Sequence, residues 1–521
     1  MTMPKPLPIG IQTFQKVIEG GYLYIDKTQQ IYELIRTASG VYFLARPRRF
    51  GKSLLLSTLE EIFLGNKALF EGLWLYDSPY TWEKHPVIRI DFSLFQVKSA
   101  EELKHSMKTH LNWIADQHQV SLNDGEYHEQ FVELLRLLTV EKQGVVLIDE
   151  YDKPLIDNLD NLAEAQRIRD VLKGFYTVLK SMDAYLRFVF LTGVSKFSRV
   201  GVFSGLNNLE DLTMQPKFAT ALGITQTELT ANLGGYIEAF AEQANLSPEA
   251  LVQQIQHWYD GFCFAAGCEN VYNPFSTLLV LKHQRFANYW FESGTPTFLV
   301  KLLKERDYPV EQLQQLKLEE ISFSTYELEN LAIIPLLYQT GYLTIKAYDP
   351  VRRLYTLSYP NFEVENAFVT WLLDAFSEST NGLTTGHLWQ LIDALQANDL
   401  DEFFDVLQVF FAQVPYNLHL KQEKYYQTIF YLIFTLIGLR ISAEVTTNRG
   451  RIDAVMELAE AIYLFEFKLN SSAQAALAQV KRSKYYERYR RQGKPLHLVG
   501  VNFDSQQREV SEWQEETVNS Q

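Results

Sequence analysis

Two acidic residues and a lysine near the C-terminus have the types and spacing of a hydrolytic metal site. Asp453 is followed thirteen residues later by Glu466, and Lys468 comes two residues after that. Residues two apart on a β-strand point to one face, so Glu466 and Lys468 share a face. A hairpin of residues 451–458 and 461–469 would lay Asp453 beside Glu466. Two carboxylates then hold Mg²⁺ through oxygen atoms, and Lys468 orients the attacking water or stabilises charge developing on phosphorus.

A second candidate site lies near the N-terminus and has the pattern of a phosphate-binding loop. The apolar run 41–45 predicts a strand, the loop after it ends in Gly51-Lys52-Ser53, and a helical pattern follows. In this context backbone N–H groups at the helix N-terminus surround phosphates, Lys52 reaches the β and γ oxygens of ATP, and Ser53 binds Mg²⁺.

The arginines of this loop are its main departure from the G-x-x-x-x-G-K-[ST] pattern. Arg46 stands where the pattern has its first glycine, so the entry to the loop is less permissive in backbone dihedral angles. Arg48 and Arg49 add positive charge, and we expect them near the phosphates.

Two further strand ends complete the predicted nucleotide site. Asp149 and Glu150 follow a short apolar strand, and we expect Asp149 to hold the Mg²⁺ shell and Glu150 to polarise the attacking water. A structural ion pair with Lys153 is the alternative. At the end of a third strand, Thr192 or Ser195 contacts the γ-phosphate or the water, unless this is an ordinary polar turn.

The elements that must position these residues alternate between strand and helix in the first part of the chain, which indicates an α/β fold. From about Thr225 amphipathic helices dominate, and Ser247 with Pro248 predicts a helix start. Residues 336–345 and 353–357 predict a small β-hairpin. A helix-rich stretch, 383–439, passes into three strands, a helix and a strand, and a polar tail from Ser505 is expected to fray.

Composition narrows the class of protein. The 521 residues suggest several domains, and no run of about 18 uncharged apolar residues predicts a membrane span. The N-terminus lacks a signal-peptide pattern. The two cysteines, Cys263 and Cys268, have no zinc-site spacing and make a disulfide framework improbable, so a reducing cytoplasm is expected.

The net charge of −15 argues against binding nucleic acid by bulk electrostatics. Between residues 468 and 494, however, the sequence contains eight positive residues and only one acidic residue, Glu487. This run is either a solvated helix face or a surface that contacts a phosphate backbone.

The chain resembles a bacterial and archaeal family that joins an AAA-ATPase-like domain to a C-terminal domain of the PD-(D/E)xK nuclease superfamily. The resemblance rests on several motifs along most of the chain: Tyr24-Ile25-Asp26-Lys27-Thr28, Arg46 to Ser53, Leu147 to Asp152, Leu191 to Lys196, Trp258 to Phe262, Tyr272 to Ser276, Gly450 to Asp453, Glu466 to Lys468 and Ala476 to Gln479. Within it, Arg46 is a family form of the loop. Residues 298–400 match least distinctively.

The resemblance implies a P-loop NTPase domain with a helical lid, a helical or winged middle region, and a C-terminal restriction-endonuclease-like α/β domain. The expected boundaries are 1–215 for the ATPase-like domain, 216–300 for the lid, 301–400 for the connecting region, 401–505 for the nuclease-like domain and 506–521 for the polar tail.

The resemblance also bears on the nuclease metal site. In the superfamily a glutamate on the first helix often completes the ligand set, and either Glu423 or Glu444 could do so here. Gln479 matches a position that sometimes supports the site. Ile452 replaces the proline that precedes the aspartate in the superfamily motif.

Together these residues predict an ATP-binding and hydrolysing protein that regulates or drives a Mg²⁺-dependent nuclease, with DNA a better candidate substrate than RNA. The alternative is a nucleotide-dependent switch whose C-terminal domain binds nucleic acid or a partner without cleaving. A homo-oligomer is possible, with Arg199 as a candidate arginine finger.

Overall fold

The protein is described from a computed structural model, which divides into two compact units. The first comprises Met1–Leu299 and Gln314–Val364, and the second Val300–Leu313 and Glu365–Gln521. The expected connecting region 301–400 is thus shared between the units. The structure describes residues 5–37, 39–196, 202–203, 205–292, 297–306, 308–324, 332–377, 383–412, 423–441, 444–446, 454–483, 485–490, 493–507 and 509–518.

The core of the first unit is a parallel sheet of five strands. They are β1 (Val41–Ala45), β2 (Val87–Asp91), β3 (Gly144–Asp149), β4 (Leu186–Gly193) and β5 (Leu209–Asp211). β1 and β3 are buried along their whole length, as the near-continuous apolar runs of their sequences predict. The strand order is β2-β3-β4-β1-β5, so the carboxyl ends of β1, β3 and β4 meet at one edge, with β4 in the middle.

Helices cover this sheet and then form a separate helical cluster. They are α1 (Phe14–Glu19), α2 (Thr28–Ile35), α3 (Lys52–Phe63), α4 (Ala100–Gln117), α5 (Tyr127–Leu138), α6 (Lys153–Ile156), α7 (Leu162–Ser181), α8 (Gln226–Ala244), α9 (Pro248–Tyr259), α10 (Pro274–His283) and α11 (Tyr289–Glu292). The predicted change at Thr225 is confirmed, since Thr225 caps α8. Ser247 caps α9, with Pro248 in the first turn.

A small antiparallel sheet follows in the same unit, and here one prediction is wrong. The elements are β6 (Leu316–Leu318), α13 (Ile321–Ser324), α14 (Ile333–Thr340), β7 (Thr344–Asp349) and β8 (Leu354–Ser358), with strand order β6-β8-β7. The first half of the expected strand 336–345 is helical, because a short apolar run fits either element. Gly341, at φ +92°, ends α14 before β7 begins.

The second unit places helices around a mixed sheet. Its helices are α16 (Leu383–Gln396), α17 (Leu400–Ala412), α18 (Glu423–Ile441) and α19 (Ala473–Ser483), and its strands are β9 (Glu444–Thr446), β10 (Ala454–Glu457), β11 (Ile462–Leu469), β12 (Leu496–Asp504) and β13 (Glu509–Val518). Along the chain, β9, β10 and β11 are followed by α19 and β12, which confirms the predicted three strands, helix and strand. The strand order in the sheet is β13-β12-β11-β10-β9. Two helices cross the boundary between the units, α12 (Thr297–Glu305) and α15 (Phe362–Ser377).

The C-terminal tail is ordered, contrary to the expectation from its sequence. Most of the polar segment expected to fray forms β13, which pairs antiparallel with β12. Val510 is fully buried, and the Trp513 ring stacks on Phe404 at 4.9 Å between centroids. Charged side chains are typical of an exposed edge strand, so a polar composition there does not mean disorder.

The two cysteines also differ from the expectation from the sequence. Cys263 and Cys268 form a disulfide across five residues of sequence. Two cysteines five residues apart fit neither a disulfide framework nor a zinc spacing, so this local link was not predicted. Among the helices that the structure describes, none is long and apolar enough to cross a membrane.

Candidate functional site

The loop between β1 and α3 has the backbone of a phosphate-binding turn. Gly51 adopts φ +94° immediately before α3, a conformation that side-chain-bearing residues rarely take. Arg49 also has a positive φ, +66°. Lys52 and Ser53 are therefore the first two residues of α3, where backbone N–H groups lack partners within the helix. The loop and the first turn of α3 thus have the backbone arrangement on which the predicted anion site depends.

Lys52 is folded back over the loop. Its Nζ donates to the carbonyl oxygens of Arg46 at 3.0 Å and Pro47 at 3.1 Å, and the side chain is 6% exposed. Burial lowers the pKa of Lys52, while the carboxylates of Glu150 and Asp149 favour its charged form. A phosphate oxygen would offer this ammonium a stronger, charged acceptor than the two carbonyls.

Arg46 does not reach toward a ligand, because its guanidinium is buried and committed to the protein. It donates to the carbonyls of Ala45 and Thr213, each at 2.8 Å, and of Phe218 at 3.0 Å. The guanidinium also lies 4.2 Å from the ring centroid of Phe264. Burial lowers its pKa to about 10. The residue that replaces the first glycine thus anchors the loop.

Arg48 and Arg49 differ from Arg46 in being exposed. The Arg49 guanidinium lies 4.8 Å from the ring centroid of Phe275 on α10. The Arg48 carbonyl oxygen accepts a hydrogen bond from Trp290 Nε1 at 3.1 Å. Both side chains remain available for a solvent-side anion.

Asp149 and Thr192 meet at the ends of β3 and β4. Thr192 Oγ1 donates to Asp149 Oδ1 at 2.7 Å, and the Glu150 N–H donates to the same oxygen at 3.1 Å. Asp149 is 1% exposed, and among the described residues no group donates to its other oxygen, Oδ2. A buried carboxylate oxygen that accepts no hydrogen bond is suited to act as a ligand of a cation.

Glu150 lies beside Asp149 in a strained backbone conformation, with φ +48°. Burial raises its pKa, the ammonium of Lys52 opposes this, and the carboxylates of Asp152, Asp149 and Asp91 raise it further. A raised pKa suits a residue that accepts a proton from water.

Two acids at this edge were not assigned by the sequence analysis. Asp152 is buried and accepts hydrogen bonds from the Val194 N–H and from the N–H and hydroxyl of Ser195. Ser195 is therefore committed to Asp152, and of the two predicted candidates only Thr192 contacts Asp149. Asp91 ends β2 directly opposite Asp149, and its position after an apolar strand was the available signal.

An apolar cavity of about 120 Å³ opens beside Gly51. Segments before the loop, the start of α3, residues after β5 and α10 all contribute to it. Among its lining residues are Leu23, Ile25, Leu54, Leu222, Pro274 and Leu278.

In the second unit, β11 brings Glu466 and Lys468 together as predicted. Lys468 Nζ lies 3.6 Å from Glu466 Oε1, and Gln479 Nε2 on α19 donates to the same oxygen. Glu466 is 2% exposed, whereas 28% of the Lys468 side chain is accessible. Phe467 points to the other face, where it stacks on Phe430 of α18.

Gly500 allows α19 to approach this site. It lies opposite Glu466 on β12, and a Cβ there would be 2.3 Å from the Ala473 carbonyl oxygen and 2.6 Å from the Leu477 nitrogen. Only a glycine permits so close an approach of helix to strand.

The predicted hairpin is present in its described part, since Ala454 pairs antiparallel with Phe465. Asp453 itself lies outside the described residues. Within the described residues, no group of three or more His, Cys, Asp or Glu side chains is arranged to hold a metal ion.

The two candidates for an additional metal ligand differ in position. Glu444 pairs with Glu457, which in turn pairs with Ile462. Glu444 is thus level with a residue four positions before Glu466, about 13 Å along the strand. The register does not bring Glu444 beside Glu466. Glu423 is the first residue of α18, and its side chain lies outside the described residues.

Two lysines of the basic run after β11 are engaged by groups of the same unit. Lys481 forms an ion pair with Glu516 of β13, and Lys494 Nζ donates to the Leu458 carbonyl at 2.7 Å. Arg482, also on α19, is exposed. Lys484 and Arg491 lie outside the described residues, as does Arg199.

Comparison with known proteins identifies both regions. A family model described as "Predicted AAA-ATPase" matches residues 8–203, and one described as "PD-(D/E)XK nuclease superfamily" matches residues 421–513. An "Uncharacterized protein in vnfD 5'region" from Azotobacter chroococcum mcd 1 is 39% identical over 97% of this chain and 98% of its own length. Domains of these two kinds generally use a nucleotide and Mg²⁺. The loop, strand-end acids and β11 residues lie within the matched ranges, and the chain belongs to the family that joins a predicted AAA-ATPase domain to a PD-(D/E)XK nuclease superfamily domain.

Proposed function

We propose that the first unit binds and hydrolyses ATP with Mg²⁺, and that this regulates or drives cleavage of nucleic-acid phosphodiester bonds, in DNA rather than RNA, by the second unit. The observation that carries the proposal is Asp149. Its buried Oδ2 is open, its Oδ1 is fixed by Thr192, and Ser53 and Lys52 begin the helix after the neighbouring loop.

The residues of the first unit divide the work on ATP. Lys52 exchanges its two carbonyl acceptors for phosphate oxygens, and Arg48 and Arg49 add charge from the solvent side. Ser53 and Asp149 would hold Mg²⁺, which would neutralise charge on the phosphates. Glu150 polarises the attacking water, and Thr192 keeps the Asp149 carboxylate in position.

The apolar cavity beside Gly51 supplies a place for the nucleobase. The two apolar faces of an aromatic base gain contact with aliphatic side chains in such a cavity. Its two polar lining side chains are already engaged: Lys27 with Glu228 at 2.7 Å, and the Tyr24 hydroxyl with Thr58 at 3.5 Å. The base is therefore held mainly by shape.

In the second unit, Glu466 and Asp453 would hold Mg²⁺, which would activate water and offset negative charge on the phosphate. Gln479 holds the Glu466 carboxylate through Oε1, and Lys468 presents its ammonium to the same oxygen from the accessible side. Glu423 is the preferred additional ligand, because the strand register removes Glu444 from Glu466.

The test uses single-stranded, duplex and branched DNA and RNA with Mg²⁺ or Mn²⁺, with and without ATP. Lys52→Ala should weaken ATP binding at least about tenfold. Lys468→Ala should abolish cleavage and leave ATP binding intact. Lys16→Ala, which removes an exposed lysine on α1, is the matched control and should change neither activity.

The outcomes separate the two functions. If the wild type cleaves no substrate under any nucleotide condition, the nuclease proposal is wrong. If Lys52→Ala abolishes biological activity while Lys468→Ala retains it, the second unit acts as a nucleotide-dependent binding module instead.

A further inference from the structure

The phosphate-binding loop is hydrogen-bonded to a buried tryptophan. Trp290 Nε1 donates to the Arg48 carbonyl oxygen at 3.1 Å, and Trp290 is 5% exposed. Gly341 packs against the same place from the other side, since a Cβ there would lie 2.8 Å from the Pro47 side chain and 3.3 Å from the Trp290 ring. A displacement of the loop backbone at Arg48 therefore changes the hydrogen bond to Trp290 and the packing around its ring.

The backbone of Trp290 is in turn bonded to a buried acid. Its N–H donates to Glu363 Oε1 at 2.7 Å, and the Ser276 hydroxyl donates to the same oxygen at 3.0 Å. Glu363 is completely buried. A buried carboxylate is costly unless its hydrogen bonds are kept, so Glu363 tends to move with its donors.

Glu363 is the second residue of α15, the helix that continues from the first unit into the second. α15 runs from Phe362 to Ser377, and the boundary between the units falls between Val364 and Glu365. A continuous helix can carry a displacement of its first turn toward its other end. Arg48, Trp290, Ser276 and Glu363 are called the indole bridge below.

We propose that the indole bridge couples the state of the phosphate-binding loop to α15, and thereby to the unit that carries Glu466 and Lys468. This inference rests on the proposed function, because it requires that a nucleotide occupy the loop. It names the route by which nucleotide binding regulates the second unit. Trp290 is a positioning residue in this scheme and contacts no reacting atom.

The test is hydrogen–deuterium exchange of the full chain with and without a non-hydrolysable ATP analogue and Mg²⁺. In the wild type, exchange should slow in residues 46–53 and change in residues 363–377. Trp290→Phe keeps an aromatic side chain, although a smaller one, and removes the indole N–H that donates to the Arg48 carbonyl oxygen. It should retain protection of residues 46–53, while the change in 363–377 falls to less than about half.

Two variants accompany this measurement. Glu363→Gln removes the charge at the other end of the bridge and should also reduce the response of α15 while the loop stays protected. Trp74→Phe makes the same substitution at a partly exposed tryptophan in the first unit and should behave as the wild type.

The results distinguish the two proposals. No protection of residues 46–53 in the wild type would overturn the proposed nucleotide site, and the coupling with it. Protection of those residues without any response in 363–377, or an equal response in wild type and Trp290→Phe, would overturn the indole bridge alone.

Discussion

At the scale of residues, burial decides what each arginine of the loop does. The sequence places Arg46, Arg48 and Arg49 within four positions of one another. Arg46 is 1% exposed, and its guanidinium donates hydrogen bonds to three backbone carbonyls. Arg48 and Arg49 are exposed. Three residues of one type thus divide into one structural anchor and two candidate phosphate ligands.

Restoring the glycine of the common loop pattern should therefore harm the protein. Arg46→Gly leaves the Thr213 and Phe218 carbonyls without their donor, and we expect the free energy of unfolding to fall by about 3 kcal/mol. Urea denaturation measures the effect. Arg48→Gly, at an exposed side chain, should be close to wild type, and a more stable Arg46→Gly protein would contradict the anchoring role.

The pH dependence of ATP hydrolysis should reflect two displaced pKa values. Glu150 must be ionised to polarise water, and burial raises its pKa, so activity should fall as pH falls through a value above the ordinary glutamate pKa of about 4.3. Lys52 must be charged, and burial lowers its pKa, so activity should fall as pH rises through a value below the ordinary lysine pKa of about 10.4.

A pH–rate profile of ATPase activity at saturating ATP tests this pair of displacements. An acidic limb at the pH of an ordinary glutamate would show that Glu150 is not the group that titrates.

At the scale of elements, the nuclease-like site depends on how closely α19 approaches β12. Gly500 makes that approach possible, and Gln479 reaches Glu466 from the same helix. On the opposite face, α18 packs on β11 through Phe430 and Phe467. The strand that carries Glu466 and Lys468 is therefore fixed from both sides.

Gly500→Ala should force α19 away from the sheet. We expect the second unit to lose about 1–3 kcal/mol of stability, with loss of the Gln479 contact and of nuclease activity. Gly386→Ala in α16 is the control, since a Cβ there meets no atom within 4 Å. The effect is measured from denaturation curves of both variants and the wild type. If Gly500→Ala were as stable as the wild type, α19 would adjust freely to the added Cβ.

The basic residues of α19 should contribute unequally to nucleic-acid binding. Lys481 is held by Glu516, whereas Arg482 on the same helix is exposed. Arg482→Ala should therefore weaken binding of a duplex oligonucleotide more than Lys481→Ala, as measured by fluorescence anisotropy. Equal losses would mean that the ion pair opens at no cost when a phosphate approaches.

At the scale of the whole molecule, the net charge of −15 limits nucleic-acid contact to a local surface. Binding should then involve few phosphates, and the logarithm of the affinity should fall with the logarithm of salt concentration with a slope equivalent to about two to four contacts. A salt titration measures the slope. A value near ten would indicate an extensive electrostatic surface that the described residues do not show.

The sequence by itself determined the parts that depend on neighbouring residues. The strand, loop and helix around Lys52, the acids after β3, and Glu466 and Lys468 on one face of β11 follow from local periodicity and backbone preference. The tail was misjudged for the same reason, because the polar β13 becomes a strand only when β12 pairs with it.

Only the tertiary structure decided which distant groups meet. It chose Thr192, rather than Ser195, as the partner of Asp149, since β4 lies between β1 and β3 and Asp152 engages Ser195. It also gave Arg46 partners 167 and 172 positions away. Contacts across such separations are fixed by strand order and burial, and neither is encoded in the spacing of a motif.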